Sequence, residues 1–230
     1  HRPPVDANQE QLLDGYHPAQ RRLAFEELLA HHLSLLKLRQ RTRQKGAPAL
    51  KVSGQHQKAF LQNLPFPLTG AQQRVSHEIR ADLAQPFPML RLVQGDVGSG
   101  KTVVAALAAL QAVEGGFQAA VMAPTEILAE QHYINFGNWL EPLGLKVAWL
   151  AGKLKGKKRQ EQLEAMADGS AHVVVGTHAL FQDEVVFANL GLVVVDEQHR
   201  FGVHQRLALR EKGRTDHRSP HQLIMTATPI

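Results

Sequence analysis

Gly95-Asp96-Val97-Gly98-Ser99-Gly100-Lys101-Thr102 decides the reading of this chain. The stretch follows the apolar run Met89-Leu90-Arg91-Leu92-Val93 and precedes a helix-forming run from Val103 to Gln111. Strand, glycine loop and helix, in that order, are what a phosphate-binding loop requires. Glycines let successive backbone N–H groups turn inward around a polyphosphate. The start of the following helix adds the positive end of its dipole. Lys101 supplies a full charge for the β- and γ-phosphates, and Thr102 a hydroxyl for Mg²⁺. The competing explanation is a glycine-rich turn with a chance lysine. The complete G-x-x-x-x-G-K-T spacing in this context disfavours it.

Working outward, Leu192-Val193-Val194-Val195 is a continuous apolar run, as expected of a strand buried on both faces of a parallel sheet. It ends in Asp196-Glu197-Gln198-His199. A carboxylate at the carboxyl end of a strand beside the phosphate loop can hold Mg²⁺, usually through its water shell. Glu197 is then placed to orient and deprotonate an attacking water. An acidic pair at a helix start is also favourable for its own electrostatic reasons. Paired with the phosphate loop, the catalytic reading takes precedence.

The rest of the chain bounds the function. Its 230 residues are 43% apolar, enough for one packed domain with an extension. No apolar run approaches a membrane span, and His1-Arg2-Pro3-Pro4 resembles neither a signal peptide nor an initiation site. The sequence therefore reads as a piece of a longer chain. Cysteine is absent, which excludes disulfides and thiolate metal sites and fits a cytoplasmic setting. Thirteen histidines, without a supporting carboxylate or cysteine pattern, give no zinc site. The formal net charge of +5 points weakly to a polyanionic partner. Two basic clusters are more telling. Lys37, Arg39, Arg41, Arg43 and Lys45 sit near a helix C-terminus, where cations are favourable anyway. Lys153, Lys155, Lys157, Lys158 and Arg159 crowd a helix start, where they are not, and so suggest an anionic ligand more strongly.

Pro18 opens a long helical pattern with leucines on one side, stopped by Gly46-Ala47-Pro48. Further helices are predicted over 55–64 and from Thr69 to about residue 85, the latter with Thr69 and Gln72 as a capping box. From there strands (89–94, 118–123, 146–150, 172–176, 192–196, 222–226) alternate with helices (101–113, 125–140, 157–167, 203–212). The alternation predicts an α/β fold with a mostly parallel sheet and helices on both faces, preceded by an α-helical N-terminal extension.

The motifs together are narrower than a generic P-loop. Leu68-Thr69-Gly70-Ala71-Gln72, the glycine loop, Ala123-Pro124-Thr125-Glu126, Val175-Gly176-Thr177-His178, Asp196-Glu197-Gln198-His199 and Thr226-Ala227-Thr228-Pro229 occur in the order of a superfamily 2 helicase. The words VQGDVGSGKT, MAPTEILAEQH, VGTHALFQ, DEQHRFGVHQR and MTATPI resemble the RecG-type branch-migration helicases, strongly over residues 60–230. The resemblance implies a RecA-like P-loop NTPase domain over 61–230, the first of two motor domains, and a helical linker over 1–60 from a preceding wedge domain.

It also implies roles. ATP and Mg²⁺ are the cofactors, with Gly95, Asp96, Val97, Gly98, Ser99, Gly100, Lys101 and Thr102 around the phosphates. Gln72 reads the adenine edge, a role that competes with its capping box for the same atoms. Pro124, Thr125, Glu126, Gly176, Thr177 and His178 meet the DNA backbone, with Thr125 also an N-cap. His199, Thr226 and Thr228 couple nucleotide state to DNA grip. The implied partners are forked and four-way-junction DNA and a single-stranded DNA-binding protein, for a bacterial, nucleoid-associated monomer. With the second motor domain and its arginine finger outside this chain, the isolated fragment is expected to bind ATP and hydrolyse it slowly or not at all. Two alternatives stand beside this one: a duplex translocase of the transcription-repair coupling type, and a nucleotide-gated module without turnover.

Overall fold

A computed structural model describes residues 13–43, 46–197, 200–201 and 218–227. The chain divides into two compact units, His1–Gln44 and Lys45–Ile230. In the first, Pro18–Arg43 forms a single helix, α1, with proline in its first turn. His17 Nδ1 accepts from the Ala19 N–H at 3.2 Å, and Arg22 pairs with Glu26 one turn on at 2.7 Å. The leucine side that the spacing reads as a packing face is exposed at Leu23, Leu28 and Leu33.

The second unit runs α2 (Gln55–Asn63), α3 (Gly70–Leu83), β1 (Leu90–Gln94), α4 (Lys101–Glu114), β2 (Gln118–Met122), α5 (Glu126–Leu140), β3 (Val147–Leu150), α6 (Gly156–Ala167), β4 (Val173–Gly176), β5 (Leu190–Asp196) and β6 (His221–Thr226). The elements predicted for described residues all occur, with bounds within two residues of expectation. The helix predicted over 203–212 lies outside the described residues.

The six strands form one sheet in the order β1-β6-β5-β2-β4-β3, every neighbouring pair parallel. Alternation along each strand feeds two cores. Ala119, Val121, Val173, Val175, Leu192 and Val194 face one, with α4 and α5. Ala120, Met122, Val174, Val193 and Val195 face the other, with α6. Both faces are therefore covered, which is why β2, β4 and β5 read as unbroken apolar runs. Helix α4 is buried all round from Val103 to Ala112, because α2 and α3 pack on the side away from the sheet.

Residues 46–55 are stitched onto this layer. Ala47 and Leu50 donate backbone N–H groups to the carbonyls of Pro86 and Leu83. Glu114 accepts from Ser53 Oγ and from the Gly54 and Gln55 N–H groups at the start of α2. Burial opposes ionisation of Glu114, yet these bonds outweigh it and hold its carboxyl below the usual glutamate value.

Because all six strands are parallel, their carboxyl ends share one edge. Along that edge β1, β6 and β5 form one half, and β2, β4 and β3 the other. This is the edge on which open α/β sheets carry ligands.

Candidate active site at the carboxyl edge of the sheet

The glycine loop leaves β1 and enters α4. Gly98 and Gly100 have φ of 82° and 79°, a region that side chains rarely adopt. A Cβ on Gly100 would also lie 2.3 Å from Gln72 Nε2. Lys101 Nζ folds back over the loop and donates to the carbonyls of Gly95, at 2.5 Å, and Asp96, at 2.9 Å. The Gly95 N–H donates to Thr226 O at 3.2 Å, tying the loop to the end of β6.

Gln72 is used twice. Its Oε1 accepts from the Thr69 N–H at 2.8 Å while its own N–H donates to Thr69 Oγ1 at 3.2 Å, forming the predicted capping box. Its Nε2 donates to Ser99 O at 2.9 Å, so the amide joins the start of α3 to the glycine loop.

Asp196 ends β5 and is buried, with Oδ2 2.8 Å from His132 Nε2. Glu197 follows at φ 50°, a strained value for a non-glycine residue. The kink turns its carboxylate toward the end of β6, where Oε2 accepts from Thr226 Oγ1 at 3.1 Å and Oε1 from the Ala227 N–H at 3.0 Å. Lys101, Thr102, Asp196 and Glu197 line one cleft of about 480 Å³. Residues far apart in the chain thus meet at a single site. Gln198, His199 and Thr228 lie outside the described residues.

Four further cleft residues were given no role from the sequence, although three of them fall within the word MAPTEILAEQH. Leu128, Gln131, His132 and Asn135 line the wall facing the glycine loop. Their i, i+3, i+4, i+7 spacing places them on one face of α5, a signal present in the sequence. What the spacing could not reveal is which element that face opposes. Arg200 also lines the cleft.

The other half of the edge holds the remaining expected residues. Thr125 is exposed and caps α5 by accepting from the Leu128 N–H at 3.3 Å. Glu126 pairs with Lys153 at 2.8 Å, and that bond holds the lysine ammonium above its usual value. Pro124 is half-buried. Gly176 and Thr177 are buried, Thr177 Oγ1 without a hydrogen-bond partner among the described residues, whereas His178 is exposed. Lys155, Lys157 and Lys158 are exposed at the start of α6.

Comparison with known proteins bears on the family and the fold. The chain is 63% identical to the ATP-dependent DNA helicase RecG of Pasteurella multocida over all 230 residues, and 60% identical to that of Escherichia coli K12. It is 50% identical over 213 residues to RecG of Bacillus subtilis. The chain spans about a third of the length of these relatives, 33% of the first two and 31% of the third. A solved structure of RecG bound to a three-way DNA junction superposes with a TM-score of 0.81 at 42% identity, covering 94% of this chain and 28% of that one. The α/β architecture is the RecA-like helicase fold that the motifs implied. The description of DEAD/DEAH box helicases matches residues 69–230, and the chain belongs to that family.

Proposed function

We propose that the protein carrying this chain is an ATP-dependent DNA helicase or translocase acting on branched DNA, and that residues 61–230 are its first motor domain. The observation that carries the reading is the convergence of Lys101, Thr102, Asp196 and Glu197 on one cleft at the carboxyl edge. The donor set fits Mg²⁺, since a threonine hydroxyl and a carboxylate are hard oxygen ligands lining the same cleft as a lysine. Bound there, the ion would offset the charge of the β- and γ-phosphates. Thr102 and Asp196 would hold it, Lys101 would exchange its loop carbonyls for phosphate oxygens, and the N–H groups of residues 95–101 would cradle the rest. Gln72 lies against the loop through Ser99, and reading adenine requires it to exchange one of its present partners.

Glu197 takes the proton of the attacking water. Its carboxylate is held by Thr226 and Ala227, so movement of that turn moves the base. This is the coupling between hydrolysis and DNA grip. DNA runs along the β2, β4 and β3 half, over Thr125, His178 and the exposed lysines, with Gly176 and Thr177 shaping the backbone from beneath. No helix among the described residues is long and apolar enough to cross a membrane. Residues 1–230 alone bind ATP and turn it over slowly, because an arginine finger supplied by a second motor domain is worth roughly 10³–10⁵ in rate.

The test is ATP turnover by the full-length protein with single strand, linear duplex, fork and four-way junction. Branched DNA should stimulate most strongly. Turnover indifferent to DNA removes the helicase reading.

A further inference from the structure

His132 makes a buried polar contact that the roles above do not use. It sits in the second turn of α5, 7% exposed, with Nε2 2.8 Å from Asp196 Oδ2. Asp196 is itself 8% exposed. An ionised carboxylate only accepts, so the ring proton lies on Nε2 and His132 donates. The other ring nitrogen, Nδ1, is buried with no hydrogen-bond partner among the described residues. A ring kept for packing alone would carry that unmatched polar atom at a cost that leucine or phenylalanine would avoid. The bond to Asp196 is what histidine adds. Carboxylates that bind a metal are commonly oriented by such outer hydrogen bonds, and losing one weakens the metal.

We propose that His132 is a positioning residue for Asp196. By holding Oδ2 through its Nε2–H it fixes the carboxylate, so that Oδ1 is the oxygen presented to the magnesium of the nucleotide. The proposal rests on the metal-binding role of Asp196 given above. It also gives α5 a mechanical task. The helix opens at Thr125, in the segment assigned to DNA, and in its second turn it grips the metal-facing carboxylate. A shift of the DNA-side segment is thereby passed to the nucleotide side.

The experiment measures Mn²⁺ affinity by electron paramagnetic resonance on the full-length protein, with a non-hydrolysable ATP analogue. His132→Gln and His132→Asn are compared with wild type. The Gln amide reaches the position of Nε2; the Asn amide reaches only that of Nδ1. Expected is a loss of about tenfold or more for His132→Asn and near wild-type affinity for His132→Gln. Nucleotide binding in EDTA should be the same in all three. Equal loss in both variants, or loss in neither, overturns the proposal. Asp196→Asn is the control: if it leaves Mn²⁺ affinity unchanged, the metal role of Asp196 has failed, and not merely its positioning. Should His132→Asn not fold, the ring ¹⁵N spectrum of the wild type decides. Nε2 protonated is required, and an Nδ1-protonated ring overturns the assignment.

Discussion

The two halves of the carboxyl edge are built on different principles. After β1, β6 and β5, the polar side chains are tied to one another or to nearby backbone: Lys101 to two loop carbonyls, Glu197 to Thr226 and Ala227, Asp196 to His132. After β2, β4 and β3, the buried groups at the edge are mostly main chain and small residues, and the charges stand outside as exposed lysines, of which Lys153 pairs with Glu126. Transfer of a phosphoryl group depends on charges fixed in place before the reaction. Gripping a polymer backbone needs only a shaped surface with N–H groups and positive charge. Single substitutions should therefore be severe in chemistry on one half, and mild or purely structural on the other.

The largest expected effect tests the first half. Glu197→Gln keeps the size of the side chain and removes the base. ATP turnover in the full-length protein should fall by roughly 10²–10⁴, with nucleotide affinity retained. Unchanged turnover would separate Glu197 from the chemistry and dissolve the contrast.

The second half should fail through its backbone before its side chains. A Cβ at Gly176 would lie 2.1 Å from the carbonyl oxygen of Leu150 on the neighbouring strand. Neither atom is on a flexible side chain, so β4 and β3 must part. Gly176→Ala should cost up to about 3 kcal/mol and lower the melting temperature by roughly 5–10 °C. A wild-type melting curve would show that this edge yields more readily than the geometry allows.

Replacing Lys155, Lys157 and Lys158 together by alanine sharpens the comparison from the other side. DNA affinity should drop about tenfold at moderate salt, and the slope of log affinity against log salt should lessen by about 0.9 for each phosphate that is no longer neutralised. ATP affinity without DNA should not move. Equal weakening of ATP binding would mean the two halves are one electrostatic unit.

Much of the half proposed to bind nucleotide was legible in the sequence because the chemistry proposed for it demands fixed residue types at short spacing. The loop from Gly95 to Thr102 and the pair Asp196-Glu197 are each contiguous, and each follows an apolar run. The parallel alternation then required both to sit on one edge. His132 was not legible as an Asp196 partner, since the two are 64 residues apart and nothing local marks the bond. The strand order that brings β5 beside β2, and so α5 over the cleft, is a property of packing. Gln72 was legible only as a competition between cap and ligand, and the fold uses its two amide atoms for the cap and for Ser99. The buried state of Thr177 was hidden as well, because a threonine after a strand reads equally as a surface turn.

The smallest effect concerns the opposite, amino edge, where each half carries one histidine in the same job. His221, at the start of β6, accepts the Met89 N–H on Nδ1 at 3.0 Å and donates from Nε2 to Pro48 O at 2.7 Å. His172, just before β4, accepts the Lys146 N–H on Nδ1 at 3.0 Å. Burial pushes both rings below the usual histidine value, aided at His172 by His56 and Lys146 and opposed at His221 by its bond to Pro48 and by Asp82. With the folded value depressed, the unfolded chain takes up protons that the folded chain refuses once pH drops below about 6.5. Stability is present in full above that pH and declines as pH falls toward the folded values. His221 is fully buried and His172 half-buried, and both seams start to lose stability in the same window, below the unfolded histidine value. Hydrogen exchange followed from pH 7 to pH 5 and corrected for intrinsic rates should show both Met89 and Lys146, whose N–H groups the two rings accept, losing protection. Unchanged protection at either amide would remove its histidine from the acid-sensitive seam.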